Sequence, residues 1–291
     1  LSDPDGQHHS QYDAASADFM LAHAADVVRA TGFAAQHIIL IGGLVPTLLV
    51  PVLDPGMEPH VGTADVDLCL SMALIEGDTE TYSRIEAELK ALGFEVGDAS
   101  FRWVRGGDVP MTVEFFCASG PARPPGYAWR PKAAENPTAK HNMGSSLSAL
   151  ALEAGDIISA DVVLVEREVA LPNSKGTITI SLNVTGPVAF LVAKTQALHE
   201  RDKPKDAYDI VWLIENWPDG PAAAAAAFRE RPAFSRPEVA ETFDRLRAAF
   251  SSTDSVGSRS FARFLGANVD EEALLERRAV GALQEFFDGI H

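Results

Sequence analysis

Cysteine is nearly missing: Cys69 and Cys117 are the only two, far apart and in no CxxC pair. That excludes a disulfide scaffold and a cysteine-based zinc site, and it fits a reducing compartment. No stretch approaches the ~20 uninterrupted apolar residues that a membrane helix needs. Residues 1–11 lack both a basic and an apolar stretch, so the expectation is a cytoplasmic protein with no signal peptide and no membrane partner. Basic residues are scarce, 24 Lys+Arg against 41 Asp+Glu for a formal charge of -17, which excludes general affinity for polyanions unless cations cluster locally. Neither GxGxxG nor GxxxxGK[ST] occurs, which disfavours Rossmann and P-loop nucleotide sites. No internal repeat is visible.

What is present describes an ordinary folded protein. With 46% hydrophobic and 22% charged residues in 291, the chain can bury one large core or two modest ones. Its acidity is uneven. Residues 1–100 hold 3 basic and 16 acidic side chains, whereas residues 101–150 hold 6 and 3. The apolar run His37–Ile41 ends in Gly42-Gly43 and reads as a buried strand entering a tight turn. Residues 13–30, 44–50 and 78–92 carry helical periodicity. Residues 64–71, 94–96, 102–104 and 111–116 read as strands, and 161–170 with 177–183 as a β-hairpin. Residues 121–146 are rich in Pro, Gly, Asn and cations, hence a long loop. From Gly186 onward the pattern is helical, over 187–200, 206–216, 222–229, 237–250 and 271–290. The predicted fold class is α+β, with a mixed-sheet domain over 1–185 and a helical domain over 186–291.

One constellation carries chemistry: Ile41-Gly42-Gly43, then Thr63-Ala64-Asp65-Val66-Asp67-Leu68, then Val113-Glu114-Phe115. Residues i and i+2 of a strand point the same way, so Asp65 and Asp67 share a face while Val66 and Leu68 enter the core. Two carboxylates so close repel unless a cation lies between them. Mg²⁺ takes such oxygen ligands together with water and phosphate. Glu114 can add a third acid from a neighbouring strand, the set a two-metal phosphoryl-transfer centre uses. Gly42 and Gly43 let backbone N–H groups approach phosphates closely.

In this order the motifs resemble the DNA polymerase β-type nucleotidyltransferase superfamily. The run Lys194-Thr195-Gln196-Ala197-Leu198-His199-Glu200-Arg201-Asp202-Lys203-Pro204-Lys205-Asp206-Ala207-Tyr208-Asp209 resembles, more narrowly, the signature of the AbiEii/AbiGii-type toxin nucleotidyltransferases. The resemblance implies two Mg²⁺ ions as cofactor, a nucleoside triphosphate as substrate, an RNA acceptor such as a tRNA 3′ end, and a cognate antitoxin as partner. Asp65, Asp67 and Glu114 would be the catalytic and metal-binding acids. Gly42, Gly43, Thr63, Lys194, Lys205 and Asp209 would serve the nucleotide, with Asp209 orienting a lysine rather than holding metal. The helical domain would close the nucleotide cleft.

Relatives often carry a cation four residues before the first acid, where this chain has Val61 beside His60. Either Lys194 and Lys205 hold the triphosphate, or His60 substitutes as a pH-dependent cation. Lys194 follows the apolar run Phe190–Ala193, so its charge needs an anion, which a triphosphate could supply. Arg123, Arg130, Lys132 and Lys140, interleaved with Tyr127, Trp129 and His141, read equally as an acceptor-binding flap or a solvent loop. Trp212 and Trp217 read as core. Two further readings stay open: the same chemistry on a small-molecule or protein acceptor, and a degenerate nucleotide-binding protein without catalysis.

Overall fold

The structure is a computed structural model and describes residues 7–12, 14–70, 79–107, 110–130, 146–172, 176–266 and 268–290. It is α+β, as expected, and groups into two compact units. One comprises Ala15–Val45 and Thr63–Thr185, the other Leu1–Ala14, Pro46–Gly62 and Gly186–His291. Thus the segments before Ala15 and over 46–62, placed in the first domain by sequence, lie with the residues after Gly186.

The first unit is built on a mixed sheet. Its strands are β1 (Ile38–Ile41), β2 (Asp65–Leu70), β3 (Glu95–Val96), β4 (Arg102–Arg105), β5 (Met111–Ala118), β6 (Ala128–Trp129), β7 (Ala149–Leu152), β8 (Val162–Ala170) and β9 (Thr177–Thr185). They run in the order β3-β4-β5-β2-β1-β9-β8, and β7 branches from β5 to pair β6. β2 sits centrally, antiparallel to β1 and parallel to β5. The alternation read from sequence holds there: Val66, Leu68, Val113 and Phe115 are buried, while Asp65, Asp67 and Glu114 are half-buried on the other face. The β8/β9 hairpin is paired over nine positions.

Helix α1 (Ala14–Ala30) lays Ala25 against Val169 and Leu171 of the hairpin region. Helix α2 (Val45–Leu49) follows the glycine pair and stops before Pro51, whose ring cannot continue it. Helix α3 (Thr79–Ala91) ends before Gly93, which takes the left-handed conformation (φ 85°) that closes a helix. β7 and the short helix α4 (Gly155–Ala160) have too few residues to show a period, and the sequence reading had no element for either.

The second unit is helical: α5 (Pro187–Glu200), α6 (Lys205–Glu215), α7 (Gly220–Arg229), α8 (Pro237–Ala249), α9 (Val256–Leu265) and α10 (Val269–Ile290). Pro187 opens α5 in the position where its missing N–H costs nothing. Phe228 meets Phe286 at 5.5 Å between ring centroids, and Trp217 meets Phe228 edge-on at 4.9 Å, so these aromatics tie α7 to α10. No described helix is long and apolar enough to cross a membrane.

At the start of α4, a Cβ on Gly155 would overlap the backbone of Ala118. Gly155→Ala should therefore destabilise the sheet unit by about 1–3 kcal/mol, the usual cost of overpacking. Urea unfolding followed by circular dichroism measures this, and an unchanged midpoint would mean the two backbones can separate freely.

Candidate functional site

Pairing register assembles the acidic face. Ile41 of β1 is the partner of Asp67, Asp67 of Glu114, and Glu114 of Arg102 on β4. Register partners share a face, so Arg102, Glu114 and Asp67 form one row across three strands. Asp65, partnered by Thr112, lies one step along on that face. The row ends at Gly42, which adopts φ 77° immediately after β1. A Cβ there would overlap the Asp67 carboxylate, so only glycine leaves the acid its place. The structure thus joins two motifs that lie more than twenty residues apart in sequence.

Thr63 is buried, and its Oγ1 accepts a hydrogen bond of 3.4 Å from the Asp65 N–H. That bond pins the entry to β2. Gly43 is buried in the turn below Gly42. Glu114 is not idle: its Oε1 accepts from Arg102 Nε at 2.5 Å, and Arg102 Nη1 donates to both Asp98 oxygens at 2.8 and 3.0 Å. Partial burial works against the Arg102 charge, but Glu114 and Asp98 outweigh it and hold its pKa above the ordinary value. Sequence reasoning missed Arg102, because spacing along the chain does not reveal which residues face each other across a sheet.

The donor chemistry suits a hard divalent cation. Asp65 and Asp67 offer oxygen ligands only, from a half-buried face. Among the described residues, no three His, Cys, Asp or Glu side chains stand close enough together to hold a metal ion. Asp65, Asp67 and Glu114 are thus not gathered into a three-acid set, and Glu114 is engaged by Arg102.

The second motif folds into a buried ionic network in the helical unit. Lys194 Nζ lies 2.8 Å from Asp206 Oδ1 and 2.6 Å from Asp209 Oδ2. Lys205 Nζ lies 2.7 Å from Asp209 Oδ1. Arg201 grips Asp206 with two hydrogen bonds, of 2.8 and 2.9 Å. The anion that Lys194 requires is thus supplied by the chain itself. Burial alone would lower the Lys194 pKa, but Asp206 and Asp209 outweigh it and raise it. For Lys205 burial wins, and its pKa falls below the ordinary value despite Asp209. Burial would raise both carboxylates; Lys194 and Arg201 instead hold Asp206 below the usual range, and Lys194 and Lys205 hold Asp209 well below it.

His60 completes this network, and not as a cation. Its Nδ1 accepts from the Gly62 N–H at 3.1 Å, so the ring proton sits on Nε2, 2.9 Å from Asp209 Oδ1. Complete burial pushes its pKa down to about 4, against the pull of Asp209. It cannot replace the missing basic residue at Val61. Tyr208 stacks beside it at 5.1 Å and accepts from the Val61 N–H at 3.1 Å, while Trp212 Nε1 donates to the Glu58 carbonyl. These contacts explain why residues 46–62 group with the helices.

In the basic loop, Arg123 is buried, 5.2 Å from the Trp129 ring centre, with Nε donating to the Ala118 carbonyl. Tyr127 is exposed. Lys132, Lys140 and His141 lie outside the described residues. Trp212 is buried, as read from sequence.

A family model described as nucleotidyl transferase AbiEii toxin, type IV TA system, matches residues 135–284, slightly more than half of the chain. The match contains the Lys194–Asp209 motif and stops short of Gly42, Asp65, Asp67 and Glu114. No curated protein and no solved structure matches the chain.

The network makes stability depend on pH. His60 takes its proton below about 6.5 when unfolded but only below about 4 when native. Between those values the unfolded chain holds the extra proton, so acidification through that window removes stability, on the order of 3 kcal/mol in full. The depressed Asp206 and Asp209 stabilise above about pH 3.9, and that contribution is lost only as pH falls further, through their folded pKa values. Unfolding free energy should therefore decline from pH 6.5 to 4 by chemical denaturation. His60→Gln should flatten that decline and leave the loss below pH 4.

Proposed function

Since the chain belongs to the AbiEii nucleotidyl transferase toxin family, we propose that it moves a nucleoside monophosphate from a nucleoside triphosphate to an acceptor hydroxyl, using Mg²⁺ at Asp65 and Asp67. The observation that carries this reading is the cross-strand row. A glycine turn, an aspartate pair and a glutamate on the adjacent strand come together only through the folded sheet. When bound, the divalent cations, two in this reading, supply charge neutralisation for the triphosphate and the departing pyrophosphate.

The chain's own groups do the rest. Asp65 and Asp67 orient the cation from one face of β2. Gly42 and Gly43 let main-chain N–H groups come close to phosphate oxygens, and Thr63 fixes the backbone that leads to Asp65. Glu114 has Oε2 clear of Arg102 to accept the proton of the acceptor hydroxyl. The hydroxyl oxygen then bonds to the α-phosphorus as the bond to pyrophosphate breaks. In the helical unit, Lys194 is the most accessible of the three residues that the resemblance gives to the nucleotide, with 11% of its side chain exposed against 5% for Lys205 and none for Asp209. Of the three, its ammonium is the one a phosphate could reach, in competition with Asp206 and Asp209. An RNA end is the proposed acceptor and a cognate antitoxin the proposed partner.

The ion pair between Arg102 and Glu114 favours one competing reading, a nucleotide-binding protein without transfer. Calorimetry with each nucleotide separates the two, because a degenerate binder would not depend on Mg²⁺. Incubating the chain with α-labelled triphosphates and total tRNA should label RNA, while small hydroxylated compounds should remain unlabelled. Asp65→Asn and Asp67→Asn should each lower the labelling rate by on the order of 10²–10³-fold with the circular dichroism spectrum retained. Undiminished transfer in both variants would refute the assignment of these acids.

A further inference from the structure

On the acidic face a cation already stands beside the acids. Arg102 is the register partner of Glu114 and sits two strands from Asp67 in the same row, roughly 10 Å away at the usual strand spacing. Its Nε holds Glu114, its Nη1 holds Asp98, and its Nη2 donates no hydrogen bond among the described residues. The side chain is 36% exposed, so it can reach a ligand over the face. Water reaches the Arg102 side of this pair and screens it, so stability alone gives weak reason for so close a contact. The position preceding the acids offers no alternative: Val61 is apolar, and His60 has both ring nitrogens committed.

We propose that Arg102 is a polyphosphate-binding residue of this site that exchanges Glu114 for phosphate oxygens when nucleotide binds. The proposal rests on the nucleotidyltransferase reading. While it is paired with Glu114, the guanidinium neutralises that acid and keeps it from contributing to a metal centre. When nucleotide and metal arrive together, the planar fork leaves Glu114 for phosphate oxygens, which it can bind with two parallel N–H donors. Asp98 stays on the other side of the guanidinium as its tether. Glu114 is then free to face the cation and the acceptor hydroxyl. Loading of metal and of triphosphate are thereby coupled through one side chain.

The coupling is read by binding, without turnover. Mn²⁺ affinity measured by electron paramagnetic resonance, with no nucleotide present, should rise on the order of tenfold in Arg102→Gln, because the competing cation is gone. Binding of a non-hydrolysable nucleoside triphosphate with Mn²⁺ should weaken on the order of tenfold in the same variant. Arg102→Lys, which keeps the charge but not the fork, should hold Mn²⁺ affinity near wild type and still weaken the triphosphate. If either quantity in Arg102→Gln stays at the wild-type value while its spectrum is native, the inference is wrong. Failure of the underlying reading looks different: wild type, Asp65→Asn and Asp67→Asn would then bind Mn²⁺ alike.

Discussion

The register of β2 between β1 and β5 is the constraint on which the candidate site depends. Side chains alternate along a strand, so a slip of one residue would send Asp65 and Asp67 into the core and bring Val66 and Leu68 out. The buried pair Val66 and Leu68, packed with Val113 and Phe115, forbids that slip. The hydrophobic core therefore positions the acids through the backbone they share. Because β2 runs parallel to β5 and antiparallel to β1, one short strand can carry the aspartates to Glu114 on one side and to the glycine turn on the other.

The helical unit solves an opposite problem. There the charges are inside, and each must be matched by others to offset its desolvation. Asp209 is shared among Lys194, Lys205 and His60, while Asp206 is shared between Lys194 and Arg201. A neutral imidazole suits this arrangement, because it donates one proton to Asp209 without adding a third ammonium-like charge beside two lysines. The histidine, which arrives from residues 46–62, joins that segment to α6 through one carboxylate.

Much of this was legible in the sequence. The alternation in residues 64–71 identified β2 and the face of its acids, and the Pro-Asn-Ser-Lys-Gly run at 172–176 announced the hairpin. Pro187 marked the start of the helices. What escaped was whatever depends on partners distant in sequence. Arg102 is an ordinary strand residue until register sets it against Glu114, and His60 is an ordinary loop histidine until Asp209 closes over it. The α9 helix escaped for a local reason: Ser251-Ser252-Thr253-Asp254-Ser255 reads as a loop and hides the apolar positions Phe261, Phe264 and Leu265 that follow. The charge of Lys194 was read as needing an anion and Asp209 as orienting a lysine, but Asp206, which pairs Lys194 as well, was not legible as that anion.

The contact between Gly42 and Asp67 also limits what the aspartate can be. The missing Cβ at 42 makes a recess the size of one carboxylate, and the Asp67 oxygens fill it. A glutamate at 67 would carry its carboxylate one methylene further and drive it against the main chain of the turn. Position 42 is thus a gauge of side-chain length as well as a bend in the backbone. A larger residue at 42 would therefore demand a shorter one at 67.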